Sequence, residues 1–255
     1  MEVIAHRGAS GYVLENSRRA LELAWRQGAD RVEIDVRATR DGKLLVLHDP
    51  TLNRTTTGQG QVAERTWEEL SEVRLKNGEP LLPLEEALDL LGGRVQVYLD
   101  VKDPRVTPRV AGQVQNLDGV IVGSTEPDTL SQVKAQVPKA ATSLLVREFD
   151  DPVGKAVRAG ADYVHLCWER LSDPVARVST TLIQEAKAAG LGVILWHEER
   201  PSVLKRIGRL SGVYGVCTNV PDRARRLLAL SSRCSSRLPQ EAKLSRMKGA
   251  GIGDA

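Results

Sequence analysis

Apolar positions along this chain follow two alternating rhythms. Runs rich in Val, Ile and Leu fall at 2–6, 31–36, 95–101, 119–123, 141–146, 162–166, 191–196 and 213–218, and each reads as a buried strand. Between them lie stretches of helical spacing near 15–27, 83–91, 105–116, 127–136, 151–159, 179–189, 201–210 and 221–230. Gly28, Gly160 and Gly190 stand where left-handed caps end three of these. Eight strand–helix pairs predict an α/β chain folded as a TIM (β/α)8 barrel. A doubly wound open sheet shares the alternation, but no G-x-G-x-x-G follows the first strand, so the barrel is preferred.

One stretch breaks the rhythm. Residues 37–82 are too long for a single strand-to-helix loop and contain KLLVLH after Asp41-Gly42. They predict a small insertion whose hairpin strand returns along the second barrel strand. With Asp41 and Gly42 as a two-residue turn, Arg40 pairs with Lys43 and Asp35 faces His48. A three-residue loop would instead set Ile34 opposite His48 and turn the imidazole away. In the first register Glu33 shares the face of Asp35, so two carboxylates and an imidazole meet at the carboxyl end of the strand, the functional face of a barrel. Residues 1–230 are expected to form one domain. Residues 231–255, polar and without sustained periodicity, are expected to be a disordered tail.

Composition narrows the partners. The chain is 41% apolar and 27% charged, as an ordinary globular protein is. Its net charge of +3 belongs to the tail, since residues 1–230 carry 31 charges of each sign. A neutral body with few aromatic residues lacks the basic stripe and stacking platforms of nucleic-acid binding. No window has the apolar length of a transmembrane segment, and Glu2, His6 and Arg7 stand where a secretory signal would need its apolar run, so a cytoplasmic location is expected. Cys167, Cys217 and Cys234 show no C-x-x-C spacing and read as free thiols. Oligomeric state is not legible in the chain.

Ionisable residues gather after three predicted strands: His6-Arg7-Gly8 after the first, Glu33-x-Asp35 with the returning His48-Asp49-Pro50 at the second, and Asp100-x-Lys102 at the third. Taken singly, each has a plainer reading as a solvated face or a structural histidine. Their combination on one rim carries the case. Carboxylates converging without thiolates suit one hard divalent cation, Mg²⁺ or Ca²⁺, with Mn²⁺ an alternative. Arg7 and Lys102 beside it fit an anionic phosphate group, and His6 and His48 are left to move protons. Together they point to cleavage of a phosphoryl–oxygen bond.

The words AHRG, EN[ST], GAD-x-x-E-x-DV and HDPTL-x-RTT-x-G, all within residues 4–60, resemble the glycerophosphodiester phosphodiesterases. The likeness continues more loosely through LPLEEALDLLGG, VYLDVKD, AGLGVILW and VCTNVPDRARRLL. The resemblance implies a TIM barrel with an insertion after the second strand. It also implies metal-dependent hydrolysis of glycerophosphodiesters to glycerol 3-phosphate and an alcohol. Carried over by motif, His6 and His48 form the acid–base pair, Arg7 grips phosphate, and Glu33 and Asp35 hold the metal.

Departures from the pattern bear on specificity. The third metal-binding carboxylate, usually a glutamate, is Asp100. The usual S-F is Ser124-Thr125, W-T-[VL]-N is Trp196-His197-Glu198-Glu199, and TD-x-P is Thr218-Asn219-x-Pro221. Trp196 matches a family pocket position, and His165, followed by Trp168 and Glu169, is a further pocket candidate. Asn16, after Glu15, reads first as the N-cap of the first helix and second as a support near the site. Two alternatives stay open: a lyase that releases a cyclic phosphate from lysophospholipid or sphingolipid headgroups, and a barrel that binds a phosphorylated ligand without turning it over.

Overall fold

The computed structural model describes residues 1–147, 149–168 and 171–235. Eight parallel strands close into a ring: β1 (Glu2–Ala5), β2 (Arg31–Ala38), β4 (Gln96–Val101), β5 (Ile121–Ser124), β6 (Ala141–Val146), β7 (Tyr163–Cys167), β8 (Gly192–Trp196) and β9 (Val213–Thr218), with β9 pairing back onto β1. A short antiparallel strand, β3 (Leu44–Val46), lies outside the ring on β2. Around the ring stand α1 (Arg18–Arg26), α2 (Leu84–Leu91), α3 (Thr107–Val114), α4 (Pro127–Gln136), α5 (Pro152–Arg158), α6 (Thr180–Ala188), α7 (Pro201–Ile207) and α8 (Pro221–Ser235). The fold is the TIM barrel that the periodicity predicts. Helix α8 runs five residues beyond the expected boundary at 230, and 236–255, the rest of the expected tail, lie outside the described residues.

Period-two alternation divides each strand between two cores. In β2, Val32, Ile34, Val36 and Ala38 pack outward under the helices with Leu21, Ala87 and Val110. The intervening Arg31, Glu33 and Asp35 are also buried. Inside the ring, Ile4, Tyr98, Ile121, Leu145, Cys167, Ile194, Trp196 and Cys217 form a separate cluster. Tyr98 fits there because Gly123, two strands from β2, has no side chain; a Cβ would collide with the Tyr98 hydroxyl.

The insertion builds a small core of its own from Leu45, Leu47, Leu52, Val62, Leu70, Leu75 and Leu81. At about 1.5–3 kcal/mol for each fully buried aliphatic side chain, this cluster is enough to order a segment with almost no regular structure. Its hairpin register differs from the two-residue turn expected. Val36 pairs with Val46 and Ala38 with Leu44, so Arg40, Asp41 and Gly42 form a three-residue loop. The Thr39 hydroxyl favours that loop by bonding the Asp41 carboxylate and the Lys43 N–H, and Gly42 takes φ +85°, a conformation open to glycine without strain.

At the amino-terminal mouth Arg31, 2% exposed, closes the ring. Its guanidinium reaches Glu2 at 3.2 Å, the Val97 carbonyl at 3.0 Å and the Tyr214 hydroxyl at 3.2 Å. Arg31→Ala is expected to lower the unfolding free energy by about 3 kcal/mol, because it removes a buried guanidinium together with its bonds to Glu2, Tyr214 and the buried Val97 carbonyl. Urea denaturation at neutral pH measures it.

Candidate active site

The carboxyl ends of β1, β2, β4, β8 and β9 meet at the other mouth. Parallel pairing sets Glu33 beside Tyr98 and Asp35 beside Asp100, so alternation turns both β2 carboxylates and Asp100 to the same side. One oxygen from each of Glu33, Asp35 and Asp100 lies within 4.8 Å of the others, and all three residues are buried. Unit charges that close repel by roughly 3 kcal/mol per pair at an effective dielectric near 20, so the cluster needs cations.

Two are supplied by the chain. Lys102 Nζ lies 3.2 Å from Asp35 Oδ1 and contacts Asp100; Arg7 Nε lies 3.2 Å from Asp35 Oδ2. Arg7 also gives its backbone N–H to Glu33 Oε2 at 2.7 Å. The trio answers unevenly. Burial, then repulsion from Asp35 and Asp100, pushes Glu33 well above the carboxylate range. Burial acts on Asp35 in the same sense, but Lys102, Arg7, His48 and the Asn16 hydrogen bond outweigh it and hold this group low.

Ionised together, the three carboxylates would exceed the two cations by one negative charge, which the raised Glu33 resists, and among the described residues Asp35 Oδ1, despite its approach to Lys102, accepts no hydrogen bond. An all-oxygen donor set with an unsatisfied oxygen fits a hard divalent cation. With a 2+ ion added, the mouth becomes positive and complements an anionic diester.

His6, 5% exposed, follows β1. Its Nδ1 is 2.7 Å from Asn219 Oδ1, while Nε2 is buried with no partner among the described residues. Burial lowers its pKa well below the ordinary value, and Arg7 and His197 add to that, as does Lys102, against the opposing Asn219 bond. His48 comes by a different route from the one expected. In the observed register Leu47, not His48, faces Asp35, giving its N–H to the Asp35 carbonyl at 3.0 Å. However, β3 stops at Val46, so strict alternation no longer governs His48. Arg37 Nε holds the His48 carbonyl at 2.7 Å, Asp49 Oδ1 lies 2.7 Å from Nδ1, and the imidazole acts electrostatically on both Asp35 and Asp100.

Trp196 is 4% exposed, with its ring 5.4 Å from that of His6 and 5.7 Å from Lys102 Nζ. His165 lies deeper, 2% exposed, with Nδ1 2.9 Å from the Tyr98 hydroxyl; burial first, and Lys102 second, lowers its pKa to about 3. Trp168 packs outside the ring among Leu166 and Leu195, and Glu169 lies outside the described residues. Asn16 is not the helix cap. Ser17 is, accepting the Ala20 N–H at 3.1 Å, which frees Asn16, at φ +54°, to donate to Asp35 Oδ2 at 2.8 Å.

Sequence reasoning missed a chain of ion pairs over the mouth. Glu15 bonds Arg7 at 2.9 Å and Arg54 at 2.7 Å, and Arg54 reaches Asp49 at 2.6 Å, the carboxylate that holds His48. Glu15 stands in the EN word and Asp49 and Arg54 in HDPTLNRTT, so the motifs contained this signal although spacing alone did not expose it. Beside the mouth a cavity of about 240 Å³ is lined by Arg37, Gln61, Lys102, Asp103 and Arg105. A larger hollow of about 780 Å³ sits at the opposite mouth near Glu2, Asp30 and Gln96 and touches none of these candidates.

The sequence profile described as the glycerophosphoryl diester phosphodiesterase family matches residues 6–223. The chain belongs to that family. It is an enzyme of the phosphoric diester hydrolase class. A glycerophosphodiester phosphodiesterase of Caldanaerobacter subterraneus subsp. tengcongensis is 29% identical over 237 residues, covering 86% of this chain and 94% of that protein. The crystal structure of a glycerophosphodiester phosphodiesterase from Agrobacterium tumefaciens matches at 26% identity and a TM-score of 0.76, over 89% of this chain and 99% of that one. An Oleispira antarctica phosphodiesterase, solved with the product sn-glycerol-3-phosphate, shares the fold at 23% identity and a TM-score of 0.79, over 90% and 97% of the two chains. Among the described residues of this family member no helix is long and apolar enough to cross a membrane.

Proposed function

We propose that the protein hydrolyses glycerophosphodiesters to glycerol 3-phosphate and an alcohol, with one divalent cation held by Glu33, Asp35 and Asp100. The observation that carries this reading is the buried carboxylate trio with Arg7 and Lys102 against it. Bound there, Mg²⁺, Ca²⁺ or Mn²⁺ would supply charge stabilisation to the phosphoryl oxygens. Family membership and the product held by the Oleispira antarctica relative support the substrate class.

The residues divide the work by environment. Arg7 and Lys102 bind phosphate oxygens, while Glu15 holds the Arg7 guanidinium and Asn16 orients Asp35. His6 is the base: burial and cationic neighbours keep it neutral, Asn219 fixes hydrogen on Nδ1, and the unpartnered Nε2 accepts the proton. His48 is the donor to the leaving oxygen, since the Asp49 carboxylate at its Nδ1 orients the imidazole. Trp196 walls the space beside His6.

A panel of glycerophosphodiesters and lysophospholipids, followed by phosphorus NMR of the products, tests the reading. Glycerol 3-phosphate as the first phosphorus-containing product supports it. A stable cyclic phosphate would make the protein a lyase, and no turnover of any diester would leave a binding barrel.

A further inference from the structure

The chemistry above uses two of the four histidines and gives His197 no task, yet its placement is specific. It follows β8 at the same mouth, with its ring over that of His6, centroids 4.6 Å apart and planes 19° from parallel. Its Nδ1 lies 2.9 Å from Glu199 Oε1, and that oxygen also accepts the Asn219 backbone N–H at 3.0 Å. The Asn219 side chain in turn holds His6 Nδ1 at 2.7 Å. His6, Asn219, Glu199 and His197 thus form a closed ring of contacts. Where the family pattern has threonine and asparagine after the tryptophan and an aspartate after the last strand, this chain has His197, Glu199 and Asn219; the acid has moved from the His6 partner to the His197 partner.

We propose that His197 is a positioning residue for His6: anchored by Glu199, it clamps the His6 ring by stacking and sets a second imidazole against its face, so that His6 Nε2 stays free to take the substrate proton. The proposal rests on the reading of His6 as the base. The groups facing His6 are Arg7 after β1, Lys102 after β4, His197 after β8 and the neutral Asn219 after β9. Its direct hydrogen-bond partner is a neutral amide, whose bond favours the charged form less than burial and the neighbouring cations oppose it. Stacking of this kind, added to the Asn219 bond at the ring edge, restricts His6 to one ring orientation.

Two variants of the full-length protein separate the parts of this role. His197→Phe keeps a stacking ring without the imidazole nitrogens, and His197→Ala removes both. Nitrogen-15 NMR of histidine-labelled protein follows the His6 titration directly, and kcat/KM against pH follows its use. His6 is expected to titrate about half to one pH unit higher in both variants, with the acid limb of kcat/KM moving equally. In His197→Ala kcat should fall about tenfold, as expected for a loosened reacting group, with KM unchanged, and His197→Phe should recover much of the loss. An unshifted His6 titration in both variants, or a loss confined to KM, overturns the proposal. A shifted His6 titration with an unshifted acid limb leaves the coupling intact and overturns instead the reading of His6 as the base.

Discussion

Replacing His48 with alanine is expected to lower kcat by about two to four powers of ten, the usual contribution of a positioned proton donor, while the protein stays folded. The side chain is 29% exposed and its partner Asp49 remains tied to Arg54 at 2.6 Å, so little packing is lost. Arg37 holds the residue through its backbone carbonyl, a contact the substitution keeps. Steady-state kinetics paired with a thermal melt separates the two effects. A variant with wild-type turnover would remove His48 from the mechanism. Substrates with more acidic leaving alcohols should suffer less, because they leave without a proton.

Removing the cation should cost about as much. With EDTA, turnover is expected to fall roughly a thousandfold, several kcal/mol of transition-state charge stabilisation, and to return on adding Mg²⁺, Mn²⁺ or Ca²⁺. Chelator-insensitive hydrolysis would contradict the role given to the acidic trio. Two substitutions sharpen the point, because both remove a carboxylate and their stabilities should diverge. Glu33 has a raised pKa when folded, so as an anion it opposes folding; that cost is full above the folded value and is relieved as pH falls from there to the unfolded value. Glu33→Gln should therefore leave the metal-free protein as stable or more so while abolishing metal-supported activity. Asp35 has a lowered pKa, so its stabilisation is present above the unfolded value and lost as acid protonates the folded group. Asp35→Asn should cost about 3 kcal/mol by leaving Arg7 and Lys102 under-compensated. Denaturation of both variants in EDTA at pH 7 reads the contrast.

The strands were legible because burial on both faces writes near-continuous apolar runs, and interruptions by Glu33, Asp35 and Asp100 stand out against them. Periodicity located those carboxylates on one rim, and pairing of Asp35 with Asp100 follows from parallel strands in register. The hairpin was harder. Asp41-Gly42 is a two-residue turn signal, but the Thr39 side chain recruits a third loop residue, a local competition that residue type alone does not rank. Expecting Asn16 to cap α1 failed for a related reason: Ser17 caps equally well, and Asp35, distant in sequence, claims the asparagine. Contacts such as His197 on His6 depend on how two chain ends curl over the rim, and no period encodes that.

The two imidazoles given proton work are mounted on separately packed bodies. His6 grows from a strand fastened on both sides within the ring, whereas His48 rides on a segment consolidated by its own leucine cluster. The spacing between donor and acceptor is therefore set where the two bodies are fastened, along the β2–β3 pairing and the Arg37 bond to the His48 carbonyl. Changes in the inserted piece that spare those fastenings would alter the room for an alcohol between the imidazoles and keep the strand-to-strand bonds of the ring.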